Sequence, residues 1–462
     1  MNITVIGGSP KGAKSVTMQY VNYIKENAKE HEFTEYYVAA DIRRIESDEE
    51  TFQKIEDDIK NADAILWAFP LYFGLVHGSY KRFIELIFEK NISGIFKGKH
   101  CAILATSIHF FDYTAVEYIR GISEDLGMIV DEVYSADMDD LLEGDGKTQC
   151  KIFWEQWTKK ITENISMGRL TAPISYERTE QIKFCADENK IVTPRKNVKL
   201  GLVTESGISE NLDNMVNTMI KEFSEIEIFD LSKMKIVGGC LGCLKCGYDN
   251  KCVYEGKDDV IDTYRKLKEC DVIVFSGAIK DRYLSARWKT FIDRLFFTTH
   301  IPFFDKKVIG FIISGPLQQL SNIREFLTGF FETRGLTVGG IVTDEKGNLE
   351  NENLVRKIHG LAATLESYYK TGYRPPRQFL GEAGHRIFRD EIFGGLKGVF
   401  VADHKYYKKH GLYDFPQKNR KKIFLTNFMY VMMKLPFIRK EIRTNMADYM
   451  IKPYEKILKE KN

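Results

Sequence analysis

No stretch of this chain is apolar for long enough, or cleanly enough, to span a bilayer. Its start, Met-Asn-Ile-Thr-Val-Ile-Gly-Gly-Ser-Pro, reads as a strand running straight into a loop, so no secretory signal is expected. A disulfide framework is lacking too. Of 8 cysteines in 462 residues, Cys101, Cys150, Cys185 and Cys270 are scattered, which suits a reducing cytoplasm. The first strand-to-helix loop has neither the G-x-G-x-x-G dinucleotide fingerprint nor a Walker loop. Net charge is small, +2, but uneven. From residue 371 onward there are 20 Lys and Arg against 9 Asp and Glu, which leaves the first 370 residues at −9. Such a tail could draw phosphorylated cofactors, anionic lipid or nucleic acid. A solvated helical face accounts for most of these lysines, and no nucleic-acid partner is expected.

Four cysteines do stand together. Cys240, Cys243, Cys246 and Cys252 follow C-x2-C-x2-C-x5-C in a Gly-rich loop. Thiolates at this spacing suit a four-iron cluster, with zinc as the second candidate and free or redox-active thiols as the third reading. Four thiolates without charge relief repel one another, which favours a bound centre or disulfide chemistry.

At 44% hydrophobic and 29% charged residues the composition is that of a globular protein with a large core, and this length predicts two or more domains. Apolar strands are expected at Ile3–Ile6, Phe33–Val38, Ala64–Ala68, Ala102–Ala105 and Ile129–Tyr134. Helices are expected at Ser15–Asn27 and Tyr80–Phe88. Unbroken apolar strands between amphipathic helices argue for a parallel sheet covered on both faces. The order then repeats, with strands at Val198–Val203, Ile226–Phe229, Asp271–Ser276 and Lys307–Ile313. Helices follow at Glu210–Phe223 and Arg287–Phe296. Lys-Arg-Phe-Ile at 81–84 returns as Lys-Thr-Phe-Ile at 289–292, the mark of an internal duplication. The polar stretch Ala186–Asn197, with Pro194, reads as the linker. Domains are therefore expected at 1–185 and 186–372, followed by a basic helical extension at 373–462. Within the extension Ile423–Ile438 is the most apolar piece. A helix docked in a groove or at a dimer contact is the first expectation for it, and a helix lying on a membrane surface the second.

Ligands of doubly wound sheets bind at the carboxyl ends of the strands. After the first strand, Gly7–Thr17 gathers Ser9, Lys11, Ser15, Val16 and Thr17 around a helix N-terminus, which is what one phosphate needs. After the third strand come Pro70, Leu71, Tyr72, Phe73 and Gly74. Here a proline stiffens the loop, Tyr72 and Phe73 offer flat apolar surface, and Gly74 lets the backbone approach a ring. After the fourth come Thr106, Ser107 and His109, then Phe110 and Phe111. A phosphate loop followed by two ring loops is the order of flavodoxin-like flavin binders. The second copy departs from it. Glu205 and Glu210 would repel a phosphate there, and Ser276–Tyr283 has no proline. One flavin per chain, in the first half, is the expectation.

On the Gly-Ser-Pro-Lys loop and the Pro-Leu-Tyr-Phe-Gly loop, residues 1–140 resemble the NADPH-dependent FMN reductases. With the cysteine run followed by Asp258-Asp259, residues 198–345 resemble the iron–sulfur flavoproteins. The resemblance implies an α/β chain of two tandem flavodoxin-like, doubly wound parallel-sheet domains plus the helical C-terminal extension. It implies a cytoplasmic flavin-dependent oxidoreductase in which FMN accepts a hydride from NAD(P)H. Electrons then pass to a flavin, quinone, small molecule or protein acceptor, through a [4Fe-4S] cluster if one is built. No catalytic acid or base is assigned, because the flavin carries the chemistry. Homo-oligomerisation is compatible with this reading. The alternatives are an electron-transfer flavoprotein without its own substrate turnover, and a zinc-stapled, non-enzymatic binding module.

Overall fold

A computed structural model describes residues 1–175, 193–345, 351–415 and 420–445. Cys185 and most of the expected linker 186–197 fall outside these residues. The chain divides into two compact units, Met1–Tyr406 and Tyr407–Asn462.

The first unit holds two sheets. In one, β1 (Asn2–Gly7), β2 (Glu32–Tyr36), β3 (Ala64–Pro70), β4 (His100–Ser107) and β5 (Ile129–Asp137) run parallel in the order β2-β1-β3-β4-β5. In the other, β6 (Arg195–Thr204), β7 (Phe223–Asp230), β8 (Val272–Lys280), β10 (Val308–Ser314) and β11 (Thr337–Thr343) repeat that order in parallel. A short β9 (Tyr283–Leu284) pairs antiparallel with β8. The duplication and the doubly wound α/β class are thus both present. The central strands are buried on both faces, as their continuous apolar runs require.

Two expected boundaries move. Val38 does not end β2 but opens helix α2 (Val38–Ser47), whose buried Val38, Ala39 and Ile45 share a helical face. Phe223 does not end a helix but opens β7. The remaining helices of the first half are α1 (Val16–Asn27), α3 (Glu49–Asn61), α4 (Gly78–Glu89), α5 (Asp112–Asp125) and α6 (Gly146–Glu163). In the second half α7 (Glu210–Ile220), the single turn α8 (Cys246–Asp249), α9 (Val260–Glu269), α10 (Ala286–Arg294), α11 (Ser321–Thr333) and α12 (Asn351–Thr371) follow. Ser15, Ser209 and Ser285 cap α1, α7 and α10 by accepting from the amides of Met18, Leu212 and Trp288.

The halves meet through α4 and α10, the two copies of the repeated Lys-x-Phe-Ile helix, related by a pseudo-twofold. Gly78 permits the crossing: a Cβ there would lie 2.5 Å from Thr290 Oγ1 and 3.0 Å from Thr290 backbone atoms. Each helix caps the other. Glu85 accepts from Ala286 N at 2.7 Å, and Asp293 accepts from Gly78 N at 2.8 Å. Each lysine reaches into the other half, Lys81 to the Lys280 carbonyl at 3.0 Å and Lys289 to the Tyr72 carbonyl at 2.9 Å. Lys81 pairs with Glu85 at 3.2 Å, and Lys289 pairs with Asp293. All four charges are buried; loss of Asp293 strands Lys289 at a cost of about 3–5 kcal/mol, whereas Lys81 has Asp281 at 3.7 Å as well as Glu85. One hydrophobic core runs unbroken across this junction, from Trp67 and Phe83 to Phe291 and Phe326.

Helix α13 (Phe379–Gly394) then crosses both halves. Phe388 packs on Phe110 at 4.4 Å and on His300 at 3.9 Å between ring centroids. The expected extension over the domains is therefore present in this part of the tail.

In the C-terminal unit the helices α14 (Arg420–Met432) and α15 (Pro436–Thr444) carry exposed Phe424, Leu425, Phe428, Tyr430, Val431 and Phe437. Among the described residues no helix is long and apolar enough to cross a membrane.

Candidate functional site

The carboxyl ends of β1, β3 and β4 bring the predicted loops of the first half together. Ser9, Ser15 and Thr17 are buried, while Lys11 and Val16 are exposed at the rim. Ser9 Oγ accepts from Lys11 N at 3.2 Å, which folds the loop back over the start of α1. The first-turn amides of α1 have no intrahelical acceptors and face this loop. The Thr17 and Thr106 hydroxyls meet at 2.6 Å, joining the phosphate loop to the end of β4. Leu71 N donates to the Thr106 carbonyl at 3.0 Å, so the third-strand loop is fixed to the same point. Buried hydroxyls at a helix N-terminus, with a lysine at the mouth, fit a phosphate monoester.

The ring loop divides its work. Pro70 continues β3 opposite Thr106. Tyr72 and Leu75 close a tight turn by exchanging backbone hydrogen bonds of 2.7 and 3.0 Å. Phe73 does not offer its face to the loop cluster as expected. Its ring packs edge-on against Phe296 at 5.7 Å and Phe330 at 5.2 Å, both from the second half. Gly74, at φ +62°, approaches a ring, but that ring is Phe326: a Cβ would lie 2.5 Å from it. These two residues serve the junction, because the pseudo-twofold sets the loop tip against α11. Phe110 and Phe111 are likewise buried among Phe330, Phe388 and Phe326. His109, half-exposed, pairs with Asp112 at 2.9 Å, and its amide donates to Ser107 Oγ at 2.8 Å. Although burial opposes it, the His109 and Ser135 hydrogen bonds hold the Asp112 carboxyl below its ordinary value.

The cysteine loop of the second half sits on the ring loop of the first. His77 connects them. Its Nδ1 accepts from Ser79 N at 3.1 Å, so Nε2 carries the proton and donates to the Cys240 carbonyl at 2.9 Å. Burial pushes the His77 imidazole down, keeping it neutral. The Tyr72 ring stands edge-on to His77 at 4.8 Å. Gly242, at φ +60°, lies so close that a Cβ would be 2.3 Å from the Tyr72 hydroxyl and 3.1 Å from Lys11 Cε. Arg294 secures the loop from beneath, binding Asp258 with two nitrogens at 2.8 and 3.0 Å and the Gly238 carbonyl at 2.9 Å.

Of the four cysteines, Cys246 is buried, Cys240 and Cys252 are half-buried and Cys243 is exposed. Among the described residues no three His, Cys, Asp or Glu side chains are already gathered as a ligand set. The thiols nonetheless feel one another. Burial pushes Cys240 up to about 12, with Asp293, Cys246 and Cys252 adding to the rise. Burial likewise pushes Cys246 up to about 12, reinforced by Cys252 and Cys243. Four cysteines on one loop are the donor type that a cluster or zinc takes, although their described side chains are not gathered round one point.

The second half has no comparable ring loop. There β8 runs on to Lys280, turns through Asp281 and Arg282, both at positive φ, and returns as β9. This hairpin docks on the first half through Arg282, whose guanidinium binds Asp125, one contact being 2.9 Å. Glu205 accepts from the Ser285 hydroxyl, and Glu210 is exposed in the first turn of α7.

Sequence reasoning missed His77, Lys289, Asp293 and Arg294. A signal for the middle two was available: a Lys–acid pair at i, i+4 recurs inside both copies of an otherwise apolar helix.

The family model for NADPH-dependent FMN reductase matches residues 1–130 and again 201–347. The iron-sulfur flavoprotein of Archaeoglobus fulgidus is 30% identical over 214 residues, spanning 44% of this chain and 93% of that protein. Among solved structures, the apo form of the NADH:FMN oxidoreductase EMOB is 20% identical, covering 34% of this chain and 89% of that one, with a TM-score of 0.30. FerB, a flavoenzyme NAD(P)H:(acceptor) oxidoreductase from Paracoccus denitrificans, is 18% identical, covering 34% of this chain and 97% of that one, with a TM-score of 0.27. The family model thus matches both halves of a duplicated doubly wound fold and more than half of the residues: this chain belongs to the NADPH-dependent FMN reductase family of flavin-dependent oxidoreductases.

Proposed function

We propose that one FMN binds in the first half and that the cysteine loop of the second half holds a four-iron cluster beside it. The net reaction is NAD(P)H + H⁺ + acceptor → NAD(P)⁺ + reduced acceptor, the acceptor being a flavin, a quinone or another oxidant. The observation that carries this reading is the seating of the cysteine loop on the ring loop, through His77 on the Cys240 carbonyl and Gly242 on Tyr72 and Lys11. When bound, the flavin supplies hydride acceptance and the cluster supplies single-electron transfer.

The residues do the rest. Ser9, Ser15, Thr17 and the first-turn amides of α1 hold the phosphate, with Lys11 balancing its charge. Pro70, Leu71 and Tyr72 of the third-strand loop and Thr106, Ser107 and His109 of the fourth would line the flavin ring. Cys240, Cys243, Cys246 and Cys252 ligate the cluster. Arg294, paired with Asp258, holds the loop from beneath through the Gly238 carbonyl. The Archaeoglobus relative, whose name couples iron–sulfur with flavin, supports the pairing of the two groups.

The test is an absorption spectrum with iron and sulfide assays on anaerobically purified protein, followed by NADH and NADPH oxidation. A yellow-brown protein with one flavin, four irons and steady NAD(P)H oxidation is expected. In Cys246→Ala the iron and sulfide should fall away while the flavin stays. Wild-type protein lacking iron and sulfide defeats the cluster, and lack of flavin defeats the reaction.

A further inference from the structure

The second half matches the same family model, so it inherits an expectation of a phosphate seat. Superposing the strand registers shows what became of it. In the first half the corner at the start of α1 gathers Ser15, Thr17 and Thr106, and Thr106 pairs across the sheet with Ala136. In the second half Ser209 takes the place of Ser15, Asn211 that of Thr17 and Ser314 that of Thr106. The residue standing where Ala136 stood is Asp344, one step past the Ile313–Thr343 register pair.

Asp344 is 1% exposed. One of its carboxylate oxygens accepts from Ser314 Oγ at 2.7 Å and from Asn211 Nδ2 at 3.1 Å, and the other accepts from Gly315 N at 2.7 Å. Ser209 Oγ joins the set through Ser314 Oγ at 3.1 Å. Three donors, two from the end of β10 and one from the start of α7, therefore converge on one buried carboxyl group. That is the donor pattern a phosphate recruits. Two further features close the corner. The run from the end of the first strand to the helix cap is three residues shorter here, Thr204 to Ser209 against Gly7 to Ser15. Glu345 accepts from the Gln318 amide and from Gln319 Nε2, the latter at 2.8 Å, tying the turn after β10 to the end of β11.

We infer that Asp344 is a built-in substitute for the phosphate of a lost second flavin, and that it leaves a latent anion seat beneath it. The carboxylate satisfies the donors that would otherwise call for a bound anion. The second half is thereby held in its folded loop arrangement without a cofactor. This deepens the proposed function, on which it rests for the count of one flavin per chain. It adds a reason for that count: besides the carboxylates of Glu205 and Glu210, the seat is already filled.

Equilibrium dialysis of the full-length chain, stripped of flavin, against inorganic phosphate tests the inference. Asp344→Ala should bind one more phosphate per chain than wild type. The difference is independent of whether the first half takes flavin. A folded Asp344→Ala chain with no extra phosphate overturns the assignment. A second measurement does not need that variant to fold: wild type titrated with excess FMN should saturate at one per chain, and saturation at two overturns the inference. Saturation at zero defeats the proposed function instead, and the phosphate count then judges the inference alone.

Discussion

The two halves share one topology and one strand register, yet their strand-end loops have been put to opposite uses. After β1 the first half keeps an open, hydroxyl-lined loop at a helix start, while the second closes the same corner over Asp344. After β3 the first half ends in Pro70 and the Tyr72–Leu75 turn, while the second extends β8 into a hairpin. After β2 the relation reverses: the first half has plain helices α2 and α3, and the second has the cysteine loop. What stays equal is the junction, where Lys81 and Glu85 mirror Lys289 and Asp293. A duplicated chain can let its loops diverge only while the surface that joins the copies is kept. The reason is energetic. Buried charges whose helices cap one another at the junction resist substitution, whereas a loop at a strand end is free to change.

The sharpest way to break the symmetry is at the junction. Asp293→Ala strands Lys289 and leaves Gly78 N without its acceptor, so stability should fall by about 3–5 kcal/mol in urea unfolding. Glu85→Ala should cost less, because Lys81 keeps Asp281 at 3.7 Å as a second acid partner. Equal losses would show that Asp281 gives Lys81 no relief.

Next in size is the phosphate loop. Thr17→Asp places a carboxylate beside the proposed phosphate. At about 4 Å and an intermediate dielectric the repulsion is about 4 kcal/mol, enough to strip FMN at micromolar concentrations. Flavin content by absorbance is the measurement, and unchanged content would move the site elsewhere.

Smaller still is the contact between the loops. Gly242→Ala forces a β-carbon toward the Tyr72 hydroxyl at φ +60°. A stability loss of about 1–2 kcal/mol is expected, with slower electron transfer to the acceptor. Gly256→Ala, at φ +71° but with open space around it, should lose less and leave the rate alone.

The least effect comes from pH. Glu89 hydrogen-bonds Arg82 at 2.8 Å and, across the junction, Lys280 at 2.6 Å. Arg82 first, with Lys280, holds its carboxyl down to about 2 despite some burial. A depressed acid stabilises the fold above its unfolded value, near pH 4.3, and that contribution fades as the pH falls toward 2. Its side chain is 38% exposed, so only a few tenths of a kcal/mol are at stake. Glu89→Gln should flatten that part of the stability profile, measured by unfolding between pH 5 and pH 2.

Much of this protein was legible in the chain alone. Unbroken apolar strands such as Ala64–Ala68 can only lie inside a sheet covered on both faces. The phosphate-loop residues, the cysteine run and the repeated helix each fall within one short segment, where spacing speaks directly. What lay across the molecule could not be read that way. His77 meets Cys240 over a separation of 163 residues, and Asp293 caps Gly78 over 215. No local pattern records such partners, because contacts of that span arise only once two complete sheets pack together. For the same reason Phe73 and Gly74 read as a ring contact and prove to face Phe330 and Phe326. Residue type and spacing determined which chemistry the chain can carry. The packing of one half against the other decided which side chains remain available for it, since each aromatic or charge buried at the junction is withdrawn from the site.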